Sequence, residues 1–143
     1  MGICSDMSAN KMQKWGDHNK SACEHLAKVT DFPDWIITTA FYAAIHYVDS
    51  KVFPLTIDGR QKITFSCLES YYNYQRNYDT QMPSKHEFRL DIAQAHLDPE
   101  ILARFKRLYD ASFTARYRDY QELDFKKAQG FYEDLCKIKE YCS

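Results

Sequence analysis

Between Pro33 and Phe53 the chain reads PDWIITTAFYAAIHYVDSKVF, its longest apolar stretch. Ile36, Ile37, Ala40, Phe41, Ala44, Ile45, Val48 and Val52 recur at three- and four-residue steps, the period of an amphipathic helix. Thr39, Tyr42, His46 and Asp49 recur at the same steps and so form a second stripe beside the first. A helix that is apolar almost all round has to be covered on most sides, which places it inside a bundle. Its polar stripe either satisfies its own hydrogen bonds or does chemistry. His46 and Asp49 lie three residues apart, where a carboxylate can hold an imidazole's tautomer or raise its pKa.

Local signals place the other elements around this helix. Pro33 stands at the first helical position with Asp34 in the first turn, and Pro54 ends the helix. Ser8 or Asn10 caps a first helix to about Val29, carrying Met12, Trp15, Ala22, Cys23, Leu26 and Val29 as apolar positions, and residues 1–9 read as a flexible leader. Asp58-Gly59 marks a turn, and residues 60–82 suit either a loop or a short helix from Ile63 to Gln75. Pro83-Ser84 opens a further helix, SKHEFRLDIAQAHL, with Phe88, Ile92 and either Ala93 or Ala95 inward. Asp98-Pro99-Glu100 opens the next, to about Asp119, and a last helix runs from about Leu123 to Tyr141. No alternating strand stands out. The expectation is an all-α, four- to five-helix up-down bundle forming a single domain over residues 10–143.

Composition excludes several classes. A net charge of −1 and a pI near 6.5 are unlike a strongly basic nucleic-acid binder. A local basic face remains, since Arg104, Lys106, Arg107, Arg116 and Arg118 lie close in sequence. The five cysteines contain no CxxC pair and read as reduced thiols of a cytoplasmic protein. No apolar run approaches the ~20 residues of a membrane span, and the N-terminus lacks a signal-peptide core. Neither a glycine-rich phosphate loop nor an HExxH zinc pair is present, so no cofactor and no metal are expected.

Two more polar sets sit on predicted helices. His86 and Arg89 share one face at a helix start, a fair arrangement for an anion, and both cationic influences depress the pKa of His86. Tyr109, Ser112 and Arg116 share a face of the following helix. An arginine in line with a core stripe needs a carboxylate or a phosphate.

The segments DWIITTAFYAAIHYVDS, SKHEFR and LYDASFTARYRDY together resemble the HEPN superfamily. More narrowly, they are similar to small stand-alone bacterial and archaeal HEPN-like proteins with an FYxAxH helix, an sHxxR segment and an SxxARY ending. The likeness runs from Trp15 to Tyr120. It implies a helical bundle that commonly forms a homodimer. It also implies a metal-independent endoribonuclease, or an RNA- or nucleotide-binding component, of a defence or toxin–antitoxin system with an antitoxin or nucleotidyltransferase partner. The family's ribonuclease motif is an arginine followed after a short gap by a histidine. Arg89 and His96 fit with six residues between them, while Leu90 stands where a polar residue usually follows the arginine. The roles implied are His86 as base, His96 as the alternative base, and Arg89 and Arg116 on the phosphate. Tyr42, His46, Asp49, Tyr109 and Ser112 would support them. The alternative is a non-catalytic dimeric interaction module in which the polar stripes are a structural network.

Overall fold

Ser8 caps the first helix, α1 (Ala9–Leu26), its hydroxyl accepting from the Lys11 N–H at 3.1 Å. The computed structural model describes residues 8–28, 32–117 and 124–143, with Tyr117 described in its backbone alone. The helix thus begins inside the span expected to be a leader; residues 1–7 lie outside the described part. Next comes α2 (Pro33–Val52), held between Pro33 and Pro54, with thirteen of its 20 residues buried. That burial makes α2 the centre of the core, as its pattern predicts.

Residues 55–65 depart from expectation. β1 (Leu55–Asp58) and β2 (Lys62–Phe65) form an antiparallel hairpin, with Leu55 opposite Phe65 and Asp58 opposite Lys62. The alternation is present in LTID and KITF, but four residues per strand are too few for periodicity to register. α3 (Leu68–Arg76) follows, so part of the undecided 60–82 stretch is helical. α4 (Lys85–His96) opens on a full capping box, with Ser84 accepting from the Glu87 N–H and Glu87 accepting from the Ser84 N–H. Its inward alanine is Ala93; Ala95 is exposed. α5 (Pro99–Tyr117) and α6 (Phe125–Cys142) complete the chain, α6 capped by Asp124 accepting from the Lys127 N–H at 2.7 Å. The expected end near Asp119 and start near Leu123 fall outside the described residues. Six helices are therefore present among the described residues, rather than four or five, alongside a two-stranded sheet.

Cross-helix hydrogen bonds give the directions of the four long helices. Along α1 and α2, Gln13 meets Ser50, Asp17 meets Tyr47, and Cys23 meets the Ile36 carbonyl, an antiparallel progression. Along α1 and α6, Gln13 meets the Cys142 carbonyl, Asp17 meets Lys139, and Glu24 meets Tyr132, again antiparallel. Along α5 and α6, the Asp98 N–H meets Tyr141, and Arg104 and Arg107 meet Asp134. The order α1, α2, α5, α6 therefore alternates in direction. Phe41, Phe105, Leu108, Leu135 and Ile138 fill the interior between them, each side chain contributing roughly 1.5–3 kcal/mol by burial. α3, α4 and the hairpin are inserted between α2 and α5.

Cys23, Cys136 and Cys142 are free thiols, whereas Cys67 is disulfide-bonded, against the expectation that all five are reduced. No helix among the described residues is long and apolar enough to cross a membrane.

α1 and α2 approach closely at Gly16. A Cβ there would lie 2.6 Å from the Tyr47 ring, which is itself fully buried and anchored by its hydroxyl on Asp17 at 2.5 Å. The ring has nowhere to retreat. Gly16→Ala is expected to lower stability by roughly 1–3 kcal/mol. In urea denaturation it should move the midpoint down at unchanged slope.

Candidate functional site

The polar stripe of α2 divides by reach. Thr39 donates back to the Trp35 carbonyl at 2.8 Å and is satisfied within its own helix. Tyr42, His46 and Asp49 each meet a different neighbouring helix. The Tyr42 hydroxyl accepts from Arg116 Nη1 of α5 at 2.9 Å. His46 meets the Trp15 ring of α1 edge to face, centroids 5.4 Å apart. Asp49 takes both arms of Arg89 on α4, Nε to Oδ1 at 2.8 Å and Nη2 to Oδ2 at 3.0 Å.

This last contact is the strongest polar one in the region. Both side chains are nearly dry, 13% exposed for Arg89 and 12% for Asp49, and a two-pronged guanidinium–carboxylate pair is fixed in orientation as well as distance. Asp49 therefore holds Arg89 by hydrogen bonds and acts on His46 through its charge alone. The pair consumes Nε and Nη2, leaving Nη1 as a donor.

A cleft of about 420 Å³ opens over this pair, lined among others by Trp15, His46, Asp49, Lys85, His86 and Arg89. Lys85 is itself bonded to Glu69 of α3 at 2.5 Å, so each of the cleft's two cations has a carboxylate partner. His86 packs by its ring against Phe41 and Tyr109, centroids 5.5 and 5.9 Å away. Its Nδ1 is sealed from solvent without a hydrogen-bond partner. A buried N–H without an acceptor is rarer and costlier than a buried lone pair. The favoured neutral tautomer therefore puts the proton on Nε2, as a donor.

Both histidines are held below the ordinary histidine pKa. For His86, burial comes first, followed by the Arg89 and Arg116 guanidiniums. For His46, burial again leads, opposed by the Asp49 carboxylate and reinforced by Arg89. Two neutral imidazoles thus share one cleft with a positioned guanidinium.

Other expected residues fall elsewhere. Arg116 lines an adjoining cleft of about 430 Å³ with Asp34, Trp35 and Tyr42, and its guanidinium stacks over Phe41 and Tyr42 at 5.7 and 5.6 Å. Ser112 is fully buried, its carbonyl accepting from Arg116 Nε at 3.3 Å. His96 is exposed at the last turn of α4, seven residues or about 10 Å along the helix from Arg89. It does not line the Arg89 cleft, so the spacing of the Arg89–His96 motif does not bring the two into one site. The expected basic face is also reduced, since Arg104 and Arg107 both bind Asp134, at 2.8 and 2.7 Å. Arg118 lies outside the described residues.

Sequence reasoning missed Trp15 as a site residue. Its signal was weak, because an apolar position on α1 reads as core until its 41% exposure is known. No group of metal-ligating side chains is present among the described residues. No protein-family model and no curated protein matches the chain, so its own chemistry has to carry the functional reading.

Two outcomes are expected. Asp49→Ala strands a nearly buried guanidinium and should cost about 3 kcal/mol by calorimetry or denaturant titration, while Asp49→Leu with Arg89→Met should recover most of it. The two histidines, whose folded pKa values lie below the ordinary 6.5, add stability that is fully present above pH 6.5. That stability is lost as pH falls from there through the folded values, where the unfolded chain takes up protons first. NMR titration should place both below 6.5, and His46→Gln with His86→Gln should flatten the decline relative to the parent.

Proposed function

We propose that this chain is a HEPN-like protein that binds single-stranded RNA along the outer line of α2 and cleaves it without a metal. The observation that carries the reading is one cleft holding two neutral histidines and a guanidinium locked in place by Asp49. The reaction is attack of a ribose 2′-oxygen on the adjacent phosphorus. The 2′ O–H bond breaks, a new P–O bond closes a 2′,3′-cyclic phosphate, and the 5′-oxygen leaves and gains a proton from solvent.

His46 is the better base of the two, because the Asp49 charge favours its protonated form. His86, named as the base on the sequence resemblance, fits the role of neutral donor to a phosphoryl oxygen, with its proton on Nε2. Arg89, whose Nε and Nη2 are held by Asp49, adds the donor Nη1. His96 has no role here.

The second reading is a non-catalytic interaction module, whether homodimeric or bound to a partner protein. The Arg89–Asp49 pair favours it, since a dry ion pair is sufficiently explained as structure. A ribonuclease assay in chelator separates the two. Cleavage is expected to yield cyclic phosphate ends. His46→Ala and His86→Ala should each slow it by roughly 10²-fold, with His96→Ala unchanged. Cleavage undiminished in both the His46 and His86 variants, or none by the parent protein, rules out the catalytic reading.

A further inference from the structure

One helical turn before His46, the face of α2 carries a second cleft. Tyr42 and His46 are four residues apart, about 6 Å along the axis, so the two clefts follow one line. The second, about 430 Å³ in volume, is lined by Asp34, Trp35, Thr38, Tyr42, Ala115 and Arg116, a size suited to a small molecule or one nucleotide. One aromatic wall is bare, Trp35 being 56% exposed, while Tyr42, 38% exposed, carries the Arg116 guanidinium over its ring. Exposed aromatic faces beside a cation are the elements of base stacking and backbone contact in single-strand binding.

The remaining charged group is the informative one. Asp34 shares the cleft, and its carboxylate has no hydrogen-bond or ion-pair partner among the described residues, while Thr38 bonds to its backbone carbonyl at 2.8 Å. A carboxylate offers two parallel acceptors. Among the common bases only guanine presents two adjacent donors, N1–H and the 2-amino group, on its pairing edge. Adenine, cytosine and uracil set an acceptor against one of the carboxylate oxygens.

We infer that this cleft is a guanine subsite, in which Trp35 stacks the base and Asp34 accepts from its pairing edge. The inference rests on the reading of the α2 face as an RNA-binding surface, and extends it to base preference. It predicts that the strand enters the histidine cleft next to a guanosine.

The test uses the intact chain and guanosine 3′-monophosphate, with the adenosine, cytidine and uridine 3′-monophosphates alongside. The chain has two tryptophans, so the Trp35 indole N–H signal is assigned by its loss in Trp35→Phe. Expected is a shift of that signal at roughly tenfold lower concentration for the guanosine nucleotide than for the others. Asp34→Asn should erase the difference while keeping a weak common response, and Trp35→Ala should weaken guanosine binding by roughly tenfold. Equal response to all four, no response at millimolar nucleotide, or a preference surviving Asp34→Asn overturns the inference. Mononucleotide binding needs no cleavage. A guanosine preference without ribonuclease activity keeps the subsite and removes the catalytic reading, whereas cleavage with no base preference does the reverse.

Discussion

Burying α2 on all but one of its sides is the constraint from which the rest of this structure follows. An almost wholly dry helix cannot leave polar side chains unpaired without a cost of a few kcal/mol each. Short ones solve the problem internally, Thr38 and Thr39 on the carbonyls of Asp34 and Trp35, and Ser50 on that of Tyr47. The longer groups Tyr42, His46 and Asp49 reach instead to Arg116, Trp15 and Arg89. Those contacts tie α2 to α5, α1 and α4 in turn. The open side of α2 is therefore where three other helices deliver their aromatic and cationic side chains, and two clefts form along it.

Much of the fold was legible in the sequence, because its signals are local. Pro33 and Pro54 bound α2, Ser8 and Ser84 cap α1 and α4, and each acts within a few residues of itself. The hairpin was not legible, although Asp58-Gly59 signals its turn. LTID and KITF alternate correctly, yet strands of four residues gain their meaning only when paired. α3 was obscured for a related reason. Tyr71 and Tyr74 lie against Phe65 of β2, at 4.9 and 5.2 Å, so the face that defines the helix is set by a neighbour the sequence had not revealed.

The candidate site divides along the same line. Spacing on one helix placed Tyr42, His46 and Asp49 on a common face, and His86 with Arg89 on another. Which acid meets which base is a tertiary matter, and there sequence reasoning left alternatives open. Asp49 had His46 three residues away as a conceivable partner, and Arg89 took its hydrogen bonds. Arg104 and Arg107 read as a basic face until Asp134, far away in sequence and almost buried, claimed both. His96 matched a motif by count alone, and its position at the exposed end of α4 separates it from Arg89 by about two helical turns.

The Arg89–Asp49 pair also determines what kind of site this can be. An unpaired arginine draws phosphate by its net charge, and the attraction is long in range and sensitive to salt. With Arg89 on Asp49 and Lys85 on Glu69, the histidine cleft offers little net charge. What it offers is directed donors, held by a rigid carboxylate so that nothing need move as charge grows on a ligand. Such a cleft discriminates well and attracts weakly. On the proposed reading, affinity comes from the adjoining face, where Trp35 is bare and the Arg116 guanidinium lies over the Tyr42 ring. On that reading a chain near electrical neutrality takes an anionic ligand by a division of labour, in which stacking supplies the hold and the paired guanidinium supplies the geometry.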